Sequence, residues 1–266
     1  MSNMETTSSP TPLSQLIKQQ SDYMPGPDLL ALRHALLEQY GDTVLAILYY
    51  GSCLRSGDAS DGLVDLYVIV DSYNSAFNKR WLALLNTVLP PNVFYIEVPL
   101  TKNKIRAKVA ILTLNDFQRG TSTRWFHSYL WARFAQPVGL LYTCDDVITQ
   151  QIYTHLGQAV ITFLYRVIPR LPASLSIAEI WQEGFKLTYK AELRPEKAGR
   201  AQQLYSRYES DFQTRALAAF TCLPFNITVN PADNSRYNIT IATHIRWFSH
   251  FSWVLRVAQG KLLSLL

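Results

Sequence analysis

The sequence predicts a mixed α/β fold of the α+β kind, with a helical part after it, and three observations predict this. Four short, apolar, β-prone runs fall between residues 43 and 114: "TVLAILYY", "LVDLYVIV", "NVFYIEV" and "AKVAILTL". Helical periodicity precedes the first run, in "PDLLALRHALLEQYGD", and separates the second from the third, over residues 75 to 89. After residue 118 the β-prone runs give way to long helical segments.

Taken in order, residues 1 to 27 read as a flexible lead and the start of a helix, with Ser14 as its expected cap. The next helix ends at Gly41, where a C-terminal cap belongs. The first two β-runs are expected as buried strands, joined by the turn-rich stretch "GSCLRSGDASDG". Residues 28 to 118 thus form one mixed domain. Residues 119 to 222 form a helical one, with helices in "STRWFHSYLWARFAQP", "TQQIYTHLGQAVITFLYRVI", "SIAEIWQEGFKLTYKAEL" and "RAQQLYSRYESDFQTRALAAF". Pro137, Pro169, Pro172 and Pro195 break this region. Residues 223 to 266 read as a loop or short hairpin and a C-terminal basic amphipathic helix. In that helix Ile245, Phe248, Phe251, Leu255, Ala258 and Leu262 recur at helical spacing, while Arg246, His250 and Gln259 fall largely elsewhere on the wheel.

The chain has 266 residues, 48% of them hydrophobic and 17% charged, which suits a folded protein with a sizeable core. No apolar run approaches the ~20 residues of a membrane-spanning helix. The first residues have neither the apolar core of a signal peptide nor the Arg-rich look of a transit peptide, so the expected location is cytoplasmic. Cys53, Cys144 and Cys222 are few, odd in number and far apart, and the five histidines are scattered. That argues for a reducing compartment and against a structural metal. Net charge is +5, and from Asn234 to Leu266 there is no acid, against Arg236, Arg246, Arg256 and Lys261. Such an end suits something anionic (phosphate, lipid headgroups or nucleic acid), or simply a solvated helix face.

The chemistry concentrates in "YYGSCLRSGDASDGLVDLYVIVD", residues 49 to 71. A strand ending in Gly-Ser, followed by an acid in the next strand, is the layout of nucleotidyltransferase-fold enzymes. Gly51 lets the backbone approach a triphosphate, and the Ser52 hydroxyl and nearby N–H groups can bond phosphate oxygens. Tyr50 and Arg55 flank this nucleotide-binding stretch. Asp65 would hold a Mg²⁺ bridging the phosphates; a strand-start cap is its ordinary alternative. The position two residues on, where many such enzymes carry a second acid, is Tyr67. Asp71 shares the face of Asp65 but lies ~20 Å along the strand, so it reads as structural. Glu97, an isolated acid in "VFYIEV", is the better second ligand if its strand lies beside that of Asp65; otherwise it is an exposed acid on an edge strand.

Four elements, in order from about residue 47 to residue 200, resemble the phosphatidate cytidylyltransferases of the translocator-assembly-and-maintenance type. They are "YYGSCLRSG" with "VDLYVIVD"; "AKVAILTLNDF", carrying Lys108 and Asp116; "WFHSYLWARFAQPV", carrying Trp125, Tyr129, Leu130, Arg133, Pro137 and Val138; and "TYKAELRPEK", carrying Tyr189, Glu192 and Arg194. The familiar sequences of that family also lack a carboxylate two residues after the first Asp.

The resemblance implies a nucleotidyltransferase domain followed by a helical, winged-helix-like domain. It implies the reaction CTP + phosphatidic acid → CDP-diacylglycerol + pyrophosphate with Mg²⁺, for phospholipid biosynthesis. The enzyme would be peripheral on the cytoplasmic face of the inner membrane, an anionic surface, with no nucleic-acid partner expected. It makes Asp65, Lys108, Arg133 and Arg194 the catalytic candidates, with Lys197 and Arg55 behind them. Each has an ordinary alternative: Lys108 as an edge-strand guard, Arg133 stacked on Trp131, Arg194 as a helix C-terminal cap. Tyr189 reads as packing, Trp125 and Tyr129 as core. Two other functions stand beside the first: a nucleotidyltransferase with a soluble acceptor, and a catalytically degenerate, membrane-associated module.

Overall fold

The computed structural model describes residues 11–51, 54, 63–77, 81, 91–100, 104–192 and 199–263. Helices α1 (Pro12–Gln20) and α2 (Pro27–Tyr40) each have proline in the first turn, where its missing N–H goes unneeded. That proline fixes the start of α1, so its cap is Thr11 and not Ser14. The Thr11 hydroxyl accepts from the Ser14 N–H at 3.2 Å, and the buried Ser14 hydroxyl donates to Thr11 O at 2.8 Å. α2 ends at Gly41, as its sequence predicts.

Five strands follow: β1 (Val44–Tyr50), β2 (Leu63–Val70), β3 (Asn92–Pro99), β4 (Lys104–Thr113) and β5 (Gly139–Thr143). They form one mixed sheet in the order β3-β4-β2-β1-β5, with β2 and β4 parallel and every other pair antiparallel. Between β2 and β4 the chain makes a short helix, α3 (Tyr73–Ala76), and β3. Of the helix expected over residues 75 to 89, positions 78–80 and 82–89 lie outside the described residues. β5 has too short an apolar run between Pro137 and Cys144 to stand out as a strand in the sequence.

Alternate residues of the same strands feed two cores. Ile47, Leu66, Val68, Val109 and Ile111 cluster with Leu29, Leu32 and Leu36 of α2. Ala46, Leu48, Tyr67, Ile69, Ala110 and Leu112 belong instead to the core shared with the helical half. That half comprises α4 (Leu114–Thr121), α5 (Tyr129–Phe134), α6 (Asp146–Val167), α7 (Ile177–Glu192), α8 (Arg200–Arg207) and α9 (Glu209–Phe220). Its centre is aromatic. Trp181 stacks on Phe163 at 4.8 Å and meets Phe212 at 4.6 Å, and its indole N–H donates to Phe212 O at 3.0 Å. Such burial satisfies the one polar atom of the ring.

Some elements differ from expectation. α4 runs across residue 118, because Thr113 caps it by accepting from the Asp116 N–H. The helix expected from residue 122 begins only at Tyr129. The helix expected over 200–220 is two, α8 and α9, meeting at Tyr208. The expected hairpin is β7 (Asn226–Asn230) and β8 (Asp233–Thr240), and β6 (Ser174–Ser176) joins it in a three-stranded sheet ordered β6-β8-β7.

The last helix, α10 (Thr243–Leu263), is amphipathic in the reverse sense. The residues facing the protein are Arg246, Ser249, Trp253, Arg256 and Gly260, spaced 3-4-3-4, and Trp253, Arg256 and Gly260 are buried. Arg246 donates to Leu171 O at 3.0 Å, Trp253 to Arg166 O at 3.0 Å, and Arg256 to Phe126 O at 2.8 Å. The opposite face, with Trp247, Phe248, Phe251, Val254, Leu255 and Leu262, is exposed, Trp247 by 73%. The apolar stripe expected from the sequence is therefore the outer face, and two of the expected surface arginines point inward. No helix among the described residues is long and apolar enough to cross a membrane.

One partly buried group makes stability depend on pH. His155, on α6, stands edge-on to Phe117, and burial pushes its imidazole down to about 4. The unfolded chain takes up this proton near pH 6.5 and the folded chain only near 4. The contribution of the neutral ring is therefore complete above pH 6.5 and is lost as pH falls from there toward 4. Between pH 7 and pH 5, urea denaturation should show wild type losing on the order of 1–2 kcal/mol more than His155→Leu.

Candidate active site

The register of the sheet builds the site. On the face toward the helical half, three lateral rows of side chains cross β1, β2 and β4: Ala46–Ile69–Leu112, Leu48–Tyr67–Ala110 and Tyr50–Asp65–Lys108. The first two rows are buried in the shared core. The third row reaches past the helical cover and lines a cleft of about 1170 Å³. The polar side chains of one sheet face thus gather where the core ends. Tyr95 of β3 extends the row, paired with Lys108, and Val93 is paired with Ala110. Both are more than half exposed.

Gly51 follows the end of β1 with φ at +85°, a left-handed conformation in which side-chain-bearing residues are strained. A Cβ there would stand 3.1 Å from the Asp65 Oδ2, so the missing side chain gives the carboxylate its place against the turn. Next to them Arg133, from α5, lays its guanidinium over the Tyr50 ring, 4.6 Å from the centroid. Burial works against the charge of Arg133, but Tyr50, Tyr67 and the Glu192 carboxylate outweigh it, and the guanidinium is held above its ordinary range. The stacking partner is thus Tyr50. Trp131 points away, into the core, against Phe163 and Trp253.

α8 also lines the cleft, through Arg200, Gln203 and Arg207. Tyr129, Gln136, Pro137 and Tyr189 complete it, and Arg200 lies 5.7 Å from the centre of the Tyr189 ring. Among the described lining residues there are four cations, Lys108, Arg133, Arg200 and Arg207, and one carboxylate, Asp65. The site is electropositive and suits a polyanion.

Asp65, Lys108, Arg133, Tyr50 and Gly51 are therefore brought together as expected. Lys108 is no edge guard, since β4 lies between β3 and β2. Ser52, Arg55, Arg194 and Lys197 lie outside the described residues. Glu97 does not join the site. Its condition was a strand beside that of Asp65, but β4 intervenes, and two strand spacings put it roughly 10 Å or more away. Its carboxylate instead takes Lys104 at 2.7 Å and Tyr95 at 2.8 Å, which hold it below the usual carboxylate range. No group of three metal-ligating side chains occurs among the described residues.

Asp71 is exposed beyond the far end of β2, its side chain accepting from the Ser72 N–H. Asp116 is buried and accepts from the Tyr73 hydroxyl at 2.7 Å, a structural bond at the other end of β4 from Lys108. Tyr189 packs by stacking on Phe185, while Trp125 and Tyr129 are partly buried against the core. Sequence reasoning missed Arg200 and Arg207. Their signal was an acid-free helix, "RAQQLYSR", with basic residues seven apart.

The sequence matches no protein-family model and no curated protein. Among solved structures the chain is similar to a nucleotidyltransferase-like protein from Exiguobacterium sibiricum 255-15, at 12% identity and a TM-score of 0.27, over 73% of this chain and 77% of that one. A likeness this distant carries no weight for function, which rests on the residues of the cleft.

Gly51→Ala should cost about 1–2 kcal/mol in urea denaturation, from the strained backbone conformation alone. Contact with the Asp65 carboxylate adds to this. In the double variant with Asp65→Gly the added part should vanish, leaving a coupling of at least about 0.5 kcal/mol.

Proposed function

We propose that the chain is a nucleotidyltransferase that moves the cytidylyl group of CTP onto phosphatidic acid, forming CDP-diacylglycerol and pyrophosphate. The observation that carries nucleotidyl transfer is the Asp65 carboxylate set against the left-handed turn at Gly51, at the foot of a basic cleft. The choice of CTP and phosphatidic acid is supported by the four sequence elements, of which Tyr50, Gly51, Asp65, Lys108, Arg133 and Tyr189 line that cleft.

Each residue has a part in such a reaction. The bare Gly51 turn admits phosphate oxygens close to the backbone. Lys108, beside Asp65, offsets charge on the departing pyrophosphate. Arg133, oriented by Tyr50, offers a fork of donors to phosphate. An oxygen of the acceptor's phosphate bonds to the α-phosphorus as the bond to the bridging oxygen breaks, and the pyrophosphate leaves with the electron pair. That oxygen is already anionic near neutral pH, so no base is required. Mg²⁺ is often held by one or two carboxylates together with substrate phosphates, and Asp65 fits such a donor set. When bound, the ion neutralises phosphate charge.

The lipid part of the reading is supported by α10. An acyl-chain substrate stays in its bilayer, each buried methylene being worth ~0.8 kcal/mol. The exposed Trp247, Phe248 and Phe251 are of the kind that enters the headgroup boundary. With Arg246 and Arg256 turned inward, that contact draws more on apolar burial than on charge.

The test is incubation with labelled CTP, Mg²⁺ and phosphatidic acid vesicles. Wild type should form a lipid-soluble cytidine product, Asp65→Asn should lose about 10²-fold or more in rate, and a chelator should abolish the reaction. A nucleotide-using enzyme that ignores the vesicles would instead have a soluble acceptor. In flotation with the same vesicles, Phe248→Glu with Phe251→Glu should shift the protein to the unbound fraction with its far-UV dichroism unchanged.

A further inference from the structure

We propose that α8 is the wall that binds the phosphate of the acceptor, with Arg200 and Arg207 as its ligands; the assignment rests on the nucleotidyl-transfer reading of the same cleft. The two arginines are seven residues apart, so they share one face of the helix, ~10 Å from one to the other. Gln203 lies between them on that face, and all three line the cleft. The other face anchors the helix through buried Ala201 and Tyr205, the latter stacked on Phe212.

A merely solvated helix would be expected to balance its charges with pairs of opposite sign three or four residues apart. α8 has no acid at all. Among the described residues, neither arginine is in an ion pair: those found join Lys104 to Glu97, Arg119 to Asp116, Lys186 to Glu183 and Arg236 to Glu179. The guanidiniums of α8 therefore line the same cleft as Asp65, with no ion pair to a carboxylate among the described residues.

The charges of the cleft divide between its walls. Lys108, paired with Asp65, and Arg133, laid over Tyr50, stand beside the Gly51 turn, where the nucleotide's phosphates belong. The remaining cations of the cleft, Arg200 and Arg207, are left for the second substrate. A phosphomonoester carries about −1.5 to −2 near neutral pH, which two guanidiniums match in charge, and their forks suit its oxygens. Without such screening, an anionic acceptor would be repelled by the phosphates it must attack. Cations at its approach lower that barrier. A free phosphomonoester and a lipid headgroup present the same group to α8. Only the lipid would also draw on the apolar face of α10.

The test measures the two substrates separately on the full chain. Binding of labelled CTP with Mg²⁺ is compared with binding of glycerol 3-phosphate and of phosphatidic acid vesicles, for wild type, Arg200→Gln, Arg207→Gln, the double variant and Asp65→Asn. Thermal melts check that each variant folds. Loss of a charge-assisted bond should weaken acceptor binding by about tenfold or more in each single variant, with CTP affinity changed less than about twofold, whereas Asp65→Asn should lose the Mg²⁺-dependent part of CTP binding. Weaker binding of both glycerol 3-phosphate and vesicles assigns α8 to the phosphomonoester itself; an effect on vesicles alone assigns it to the lipid headgroup. Double-variant binding of both acceptors at wild-type strength, or equal losses for CTP and acceptor, would overturn the proposal while leaving nucleotidyl transfer intact. Acceptor binding that depends on α8 in a protein with no affinity for any nucleotide would keep the anion site and sink the function it was assigned to. No affinity for either substrate sinks both.

Discussion

The site depends on how far the helical half covers one face of the sheet. Alternation sends every second residue of β1, β2 and β4 to that face, and register lines them up in rows. Where helices cover the rows, the residues are Ala46, Leu48, Tyr67, Ile69, Ala110 and Leu112, and all are buried. One row further along, the cover ends and the residues become Tyr50, Asp65 and Lys108. A slip of one residue in either pairing would send Asp65 into the apolar layer beneath α2 and put Leu66 in its place. Core packing and site geometry are thus set by one and the same register.

Tyr67 shows this coupling most directly. It occupies the position where a second acid would stand, but its ring is buried between Tyr50 and Phe134, with centroids 5.5 and 4.7 Å away. A carboxylate there would be desolvated among aromatic rings, at a cost to the fold. The aromatic ring instead supports Tyr50, and Tyr50 supports Arg133. A packing residue in the core thereby orients a charge in the cleft.

Much of this was legible in the sequence, because it depended on local pattern. The four β-runs, the Gly51 bend, Asp65 in the strand after it, and Arg133 ahead of Pro137 are each read from a short stretch of neighbouring residues. What was not legible depended on which strands become neighbours. Glu97 could be read as a ligand beside Asp65 or as an exposed acid on an edge strand; β3 turned back onto the outer edge of β4, so the second reading holds and the Lys104–Glu97 pair sits on that edge. For the same reason Lys108 could be read either as catalytic or as an edge-strand guard, and pairing of β4 on both sides rules out the second. Arg200 and Arg207 went unread because a polar helix gains meaning only from what it faces. The break at Tyr208 that separates α8 from α9 has no proline or glycine to announce it.

The orientation of α10 has a consequence of its own. Hydrophobicity alone would turn this helix the other way, with Trp247, Phe248 and Phe251 hidden and the arginines in water. It is held in the opposite sense by directional bonds, from Arg246, Trp253 and Arg256 to the main-chain carbonyls of Leu171, Arg166 and Phe126, and by the fit of Gly260 against Ala191. These bonds act as pegs. With apolar residues in their place the helix would be at liberty to roll about its axis by half a turn, and the molecule would hide its aromatic ridge. The greasy exterior is thus maintained by polar chemistry from within.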